Sequence, residues 1–516
     1  MAEISAVIAR YRETLAKSGV LTVRPGVEAK NGWVTKRPAI VVTVAEKKPA
    51  AVLPASDLLP EELGGFPVDV RQASPLKLMQ AEAPQAFMKT ALQVSPALRP
   101  AEFPEEVRVA DASPLPTVPQ AVAQAPKKPQ IPYTAPPDAP LSAVRRKITV
   151  TCSSSPDSGW DTLHAFFQGT DSSLTVGLYD FTSRHVLDAL ITALTANAKA
   201  RTLQLVLDHP PLNDTADQTD DATVNALKAA LGDRFRFAWA LEDRDPFAAR
   251  WIYPSAYHIK VAVRDHASFW LSSGNWNNSN QPAGDPLATA HKKDRDWHVV
   301  ISDAGLAQVF EPYLDNDFAV AAEHQQAGQP AQPPDLPAPV VPPPPGVGQA
   351  FPAKEFSDTM TIRPVLTPDP GGYVQPILDL INSATKTLYL QYAYVHPPRA
   401  GDVGLAPLIA AVKAKQDTDV DVRIILSSFE TQALLEQLQQ EGIDLADVRI
   451  QENVHNKGIV VDAKAVLVSS QNWSTSGVEQ NRDAGVVIEH EGVAQFFQAV
   501  FLDDWEHRAQ QKAADG

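Results

Sequence analysis

The chain has 516 residues, 44% of them hydrophobic and 21% charged, the composition of a soluble globular protein with room for about three domains. Its formal net charge of -16 builds no general attraction to nucleic acid or anionic lipid into the molecule. A single cysteine, Cys152, excludes an intrachain disulfide framework and reads as a core residue.

The opening stretch, MAEISAVIARYRETLAKSG, is not a secretion signal, because Glu3, Arg10 and Glu13 interrupt any apolar core. Ile4, Val7, Ile8, Tyr11 and Leu15 follow helical spacing and predict an amphipathic helix. After it come GVLTVRPGVEAKNGW, the β-rich AIVVTVAEKK, the helix-like LPASDLLPEELGG and a last strand, FPVDVRQA. Residues 1–74 are thus expected to form a small α+β domain with no visible chemistry. So small a core calls for something to pack on, which makes a protein partner the expected role.

Two proline-rich tracts follow the pattern of extended spacers, since proline removes a backbone donor and favours open conformations. The first, 75–144, includes PTVPQAVAQAPKKPQIPYTAPPDAP. The second, 324–350, carries nine prolines between Pro330 and Pro345. Both are expected to be linkers, and both are candidate sites for a protein partner. No apolar run is long enough to span a bilayer, so the expectation is a cytoplasmic protein whose membrane contact, if any, is peripheral.

The two remaining blocks, 145–323 and 351–512, share one plan. One opens ITVTCSSSPDSGW and the other MTIRPVLTPDPGGY, with Pro156-Asp157 matching Pro368-Asp369. Each continues with a helix, a strand (SLTVGLYDF or TLYLQYAYV), another helix and a buried-looking strand (LQLVLDH or VRIILSS). Alternating helices and apolar strands predict two α/β units with mainly parallel sheets.

The chemistry sits further along. YHIKVAVRDHASFWLSSGNWN, from Tyr257 to Asn277, is repeated as VHNKGIVVDAKAVLVSSQNWS, from Val454 to Ser474. His455, Lys457, Asp462, Ser470 and Asn472 each stand 197 positions after His258, Lys260, Asp265, Ser273 and Asn275. Downstream, DRDWHVVI (Asp294 to Ile301) recurs as NRDAGVVI (Asn481 to Ile488) at an offset of 187. The first block therefore holds ten extra residues, within SNQPAGDPLATAHKK, a loop by composition. In a strand, residues two apart share a face, so His258 projects with Lys260, and His455 with Lys457. After a turn, Ser273 and Asn275, or Ser470 and Asn472, come back onto one face.

These residues resemble the phospholipase D superfamily, whose signature is His-x-Lys, four residues, Asp, then six residues and Gly-Ser-x-x-Asn or a near variant. Ser272 and Ser469 stand where the family usually has glycine. The resemblance covers both blocks and leaves residues 1–74 untouched. It implies two pseudo-twofold-related α/β domains that share one active site in a single chain, a pseudo-dimer within a monomer. It also implies a phosphodiesterase, a hydrolase working through a covalent phosphohistidine, with no metal and no cofactor.

In that scheme His258 is the nucleophile and His455 the general acid and base, by analogy with the usual order. Lys260 and Lys457 neutralise phosphate oxygens, and Asn275 and Asn472 donate hydrogen bonds to them. Asp296 and Asp483 resemble the downstream acids that orient the histidines across the interface; their plainer alternative is ion pairing with Arg295 and Arg482. Asp265 and Asp462 are expected to hold the strand–turn framework, and Ser273 and Ser470 to be lesser phosphate contacts. His209, His396 and His490, at turns or strand ends, carry no expected role. Phospholipid leads as substrate. Nucleic acid, cut by a nuclease of the same superfamily, comes second. A non-catalytic phosphate-binding scaffold is the reading from another class.

Overall fold

A computed structural model describes residues 2–72, 133–240, 253–284, 293–323, 349–428 and 432–511, apart from short internal gaps in four of these stretches. Most of both proline-rich tracts, His209 and residues 285–292 of the inserted loop lie outside the described residues. The chain divides into two units, Met1–Lys127 with Gln511–Gly516, and Lys128–Gln510.

In the first unit a helix, Ala2–Arg10, buries Ile4 and Ile8 against Val20, Val23, Ile40 and Val42. The sheet there contains β1 (Val20–Lys30), β2 (Trp33–Val44), β3 (Glu62–Leu63) and β4 (Phe66–Gln72), in the order β1-β2-β4-β3. The segment LPASDLLPEELGG, expected as a helix, forms none over its described residues. Pro54 and Pro60 deprive it of backbone donors, and its end turns at Gly64 and Gly65, both at positive φ, into the antiparallel β3–β4 pair.

The second unit holds both motif blocks. The first block runs β5 (Val144–Ser155), β6 (Ser173–Leu178), β7 (Thr202–Leu207), β8 (Phe235–Trp239), β9 (Lys260–Arg264), β10 (Ser268–Ser272) and β11 (Asp296–Ser302), and closes with the helix Ala304–Glu323. The second runs β12 (Lys354–Thr367), β13 (Thr387–Tyr392), β14 (Asp421–Ser427), β15 (Val448–Gln451), β16 (Lys457–Val461), β17 (Ala465–Ser469) and β18 (Asp483–Glu489), and closes with the helix Glu491–His507.

All these strands belong to one sheet, in the order β15-β14-β13-β16-β17-β18-β12-β5-β11-β10-β9-β6-β7-β8. The order reads the same outward from both sides of the central β12–β5 pair. That pair is antiparallel, in register from Lys354–Cys152 to Ile362–Val144. An apolar cluster crosses the seam, joining Val150, Val299 and Phe310 to Val466, Val486 and Phe497, and it buries Cys152.

The α/β class holds, but the sheet is mixed rather than mainly parallel. Parallel pairing is confined to β6–β7–β8 and β13–β14–β15, where helices such as Arg184–Thr195 and Leu405–Gln416 make the crossovers. The motif strands are joined by tight turns, and a tight turn can only reverse the chain.

Residues 133–143, assigned above to the first linker, are part of this unit. The Tyr133 hydroxyl is 3.0 Å from Asp369 Oδ1, its ring lies 4.9 Å from the Arg482 guanidinium, and the Ala139 carbonyl accepts from Tyr313 at 2.9 Å. Among the described residues no helix is long and apolar enough to cross a membrane.

Candidate active site

Each signature motif is an antiparallel hairpin placed inside the sheet. β9 pairs with β6 on one side and β10 on the other, and β16 likewise with β13 and β17. The turns place two consecutive residues at positive φ: Asp265 and His266 in one hairpin, Asp462 and Ala463 in the other. The Asp side chains fix those turns. Asp265 accepts from the backbone N–H groups of Asp171, Ser172 and Ser173 at 2.7–2.9 Å, and Asp462 from those of Thr385, Lys386 and Thr387 at 2.8–3.0 Å. Both are framework residues far from the histidines in role.

The histidines precede the first strands of these hairpins and meet across the seam. Their ring centroids are 6.4 Å apart, with the planes at 58°. His258 Nδ1 lies 2.8 Å from Asp483 Oδ1, and His455 Nδ1 lies 3.0 Å from Asp296 Oδ1. Each imidazole is therefore oriented by a carboxylate from the opposite block, and both carboxylates are fully buried. Ser273 and Ser470, expected as phosphate contacts, instead donate to these carboxylates, Ser273 to Asp296 at 2.7 Å and Ser470 to Asp483 at 2.6 Å. They fix the acids that fix the rings.

Lys260 Nζ donates to the His258 carbonyl at 2.5 Å and Lys457 Nζ to the His455 carbonyl, so the ammonium groups stay beside the rings. Both lysines are fully buried. Burial lowers their proton affinity, Lys457 to about 8, against the pull of Asp296 and Asp483. Tyr179 stands at the edge of His258, ring centroids 4.9 Å apart, with Lys260 Nζ 5.1 Å from the Tyr179 ring. Asn275 and Asn472 are both buried, and the side-chain oxygen of each has no hydrogen-bond partner among the described residues.

Electrostatically the two rings differ. Burial, then the charges of Lys260, Lys457 and His455, hold His258 well below the ordinary imidazole range. His455 is lowered by burial and Lys457, with Asp296 and Asp294 acting the other way. Asp483 is pushed by burial up to about 7, despite Lys260 and Ser470. For Asp296 burial works upward too, but the charge and hydrogen bond of His455 outweigh it, and the group sits at about 2.

The family described as "Cardiolipin synthase, PLD-like domain" matches residues 377–505, which contain the second motif and its acid. Residues 377–505 belong to the phospholipase D superfamily. A phospholipase D of Rickettsia conorii is 26% identical over 142 residues, 27% of this chain and 65% of that protein. A cardiolipin synthase of Listeria welshimeri is 27% identical over 144 residues, 26% of this chain and 27% of that one. Phosphatidylserine synthase of Haemophilus influenzae superposes with a TM-score of 0.46 at 14% identity, covering 70% of this chain and 87% of that structure.

The two halves are locked by Arg295 and Arg482, and the plainer alternative, in which these pair with Asp296 and Asp483, does not hold. Arg295 binds Asp504 through two contacts of 2.8 and 2.9 Å, and also Asp157 and the Ser155 carbonyl. Arg482 does the same with Asp317, at 2.7 and 3.0 Å, and with Asp369. The arginines thus leave Asp296 and Asp483 to the histidines. Their own partners were signalled by the repeated Pro-Asp pair and by Asp317 and Asp504, which obey the same offset of 187.

The backbone reinforces the lock, with Arg295 N–H donating to Asn453, His455 N–H to Arg295 and Arg482 N–H to Ala256. Trp297 of the first block lies against Gly458 of the second, where any Cβ would come within 2.3 Å of the indole. His490 caps the helix Glu491–His507, with Asp358 3.7 Å away and Phe356 at its edge, and His396 stacks on Tyr394.

Proposed function

We propose that the protein is a phosphodiesterase of the phospholipase D type that cleaves a phospholipid, by hydrolysis or by transfer to an alcohol, through a phosphohistidine. The observation that carries this reading is the meeting of His258 and His455, each held by a carboxylate from the opposite block and each two residues from a buried lysine. Blocks 145–323 and 351–512 are its two halves, within one monomeric chain. A cytoplasmic location, with peripheral contact to the lipid surface, belongs to the same reading.

With Nδ1 of each ring held by a carboxylate, Nε2 is the atom left to react. His258 Nε2 attacks phosphorus as the bond to the leaving oxygen breaks, and His455 passes its proton to that oxygen. Water then attacks phosphorus while giving a proton to His455, the P–N bond breaks and His258 is released. Lys260 and Lys457 supply positive charge to the non-bridging oxygens, with Asn275 and Asn472 beside them. This requires one imidazole neutral and the other charged, so kcat/KM should follow a bell in pH; a flat profile with chemistry rate-limiting contradicts it.

Lipid is favoured over nucleic acid by relatives named phospholipase D and cardiolipin synthase, and by a net charge of -16, which suits no long phosphate footprint. The test is parallel incubation with phosphatidylcholine, cardiolipin, single-stranded DNA and duplex DNA, with His258→Ala as blank. Headgroup release by the wild type alone is expected. Cleavage of DNA only would move the reading to a nuclease, and binding without turnover of any of the four would leave a scaffold.

A further inference from the structure

Behind the two histidines the site is not symmetric, and the difference falls at two registered positions. Asn280 follows Asn275 by five residues; the residue five after Asn472 is Gly477. Asn280 Nδ2 donates to Asp296 Oδ2 at 2.8 Å and to Asp294 Oδ2 at 3.0 Å, and its Oδ1 accepts from the Asn275 backbone at 3.0 Å. Asp296 Oδ1 meanwhile takes the contacts from His455 and Ser273. Position 477 cannot repeat this, since a Cβ there would lie 2.1 Å from the Asn472 carbonyl oxygen. The second position is Asp294 itself, whose counterpart 187 residues on is the uncharged Asn481.

His455 is thus backed by two carboxylates joined through one amide. His258 is backed by a single carboxylate, Asp483, which takes a hydrogen bond from the Asn481 side chain, with a bare glycine at 477. Both acids thus receive an amide N–H, and the difference between the halves is the second carboxylate, Asp294. An amide N–H on Asp296 stabilises its charged form, and a second carboxylate behind it adds negative charge on the same side. The other titratable groups around the rings are Lys260 and Lys457, with Tyr179 at the edge of His258 and the buried carboxylate of Asp180 acting on Lys260, and each ring also faces the other. Each lysine holds the same place relative to its own histidine, so the lysines distinguish the rings less than the acids do.

We propose that Asn280 and Asp294 are positioning residues that polarise the histidine pair, making His455 the ring that carries the proton and leaving His258 as the neutral nucleophile. Neither touches the substrate. The inference deepens the phosphodiesterase reading and rests on it.

Two measurements on the full-length protein test it. In the first, ring-labelled histidines are titrated by NMR, with His258→Ala and His455→Ala giving the assignments. His455 is expected to titrate above His258 in the wild type. In Asp294→Asn its midpoint should fall by about half a pH unit or more, and in Asn481→Asp the His258 midpoint should rise. In the second, bis(4-nitrophenyl) phosphate is turned over, the reaction is quenched in alkali, and the phosphoryl adduct is located by mass spectrometry.

The adduct is expected on His258, and the alkaline limb of kcat/KM should move down in both Asp294→Asn and Asn280→Ala. An adduct on His455, a His258 that titrates above His455, or an alkaline limb that Asp294→Asn leaves in place overturns the proposal. Absence of turnover and of any adduct with every phosphodiester supplied removes the phosphodiesterase reading, and the proposal with it; the titrations, which need no substrate, distinguish that failure from the others. If Asp294→Asn does not fold, the order of the two wild-type midpoints still decides.

Discussion

The two halves of the site agree in the layer of the two histidines and diverge one layer further back. In front, His258, Lys260 and Asn275 repeat as His455, Lys457 and Asn472, and the Ser–Asp–His relays repeat to within a few tenths of an ångström. The arginine locks repeat as well. Behind, the first half has Asn280, Asp294 and His298 where the second has Gly477, Asn481 and Gly485.

His298 is wholly buried between Ser155, 2.8 Å away, and Ser272, 2.6 Å away, and burial pushes it down to about 4, so it is a neutral strut. At Gly485 a Cβ would come within 2.5 Å of Ser469. Under the proposed reaction, both halves of the front layer are constrained alike. The layer behind escapes that constraint, and it is where a two-sided site acquires a direction.

The strongest way to break the comparison is at the front. His258→Ala and His455→Ala should each cost at least about a hundredfold in kcat on a phosphodiester, because each ring does a separate part of the reaction. Retention of more than a few per cent by both would end the shared-site scheme.

Next in size are the locks. Arg295→Ala removes the arginine shared by Asp157 and Asp504, although Arg508 stays 3.4 Å from Asp504, and Arg482→Ala removes the one shared by Asp317 and Asp369. Each should lose about 3–5 kcal/mol of stability in urea titrations, the Arg295 variant the less. A larger loss from Arg295→Ala would contradict that ordering.

The acids sharpen the contrast through pH. The folded pKa of Asp483, about 7, lies above its unfolded value of about 3.9, so this group favours folding at low pH and loses that contribution as pH rises toward 7. For Asp296, at about 2, the contribution is present above the unfolded value and lost as pH falls toward 2. Asp483→Asn should therefore flatten the fall of the urea midpoint between about pH 4 and pH 7, while Asp296→Asn should leave that fall in place. The smallest effect belongs to the turns: Asp265→Ala and Asp462→Ala should each cost about 1–3 kcal/mol, and turnover per folded molecule should hold.

Much of this site was legible in the chain because the chemistry is written twice. A paired His-x-Lys at a constant offset of 197 cannot be explained by packing alone, and the second repeat, at an offset of 187, points to Asp296 and Asp483. What was not legible depended on contacts across the seam. Nothing local says that Arg295 reaches Asp504 rather than Asp296, or that Ser273 turns toward a carboxylate and not toward a ligand. Tyr133 was lost in a proline-rich composition that hides its packing on Arg482. The strand directions failed for a simpler reason. Apolar runs alternating with helices suggest parallel pairing; the turns that return β10 and β17 are legible, but nothing local shows that β5, β11, β12 and β18 also pair antiparallel.

The β12–β5 pair has a consequence for any single half. Cut free, either block would expose a long edge whose N–H and C=O groups seek a neighbour, and antiparallel pairing is a contact that two identical chains can make with each other. A lone half would satisfy that edge by associating with a second copy. Joining the two blocks in one polypeptide makes the association intramolecular, so it no longer depends on protein concentration, and it lets each copy accumulate changes that its twin does not share.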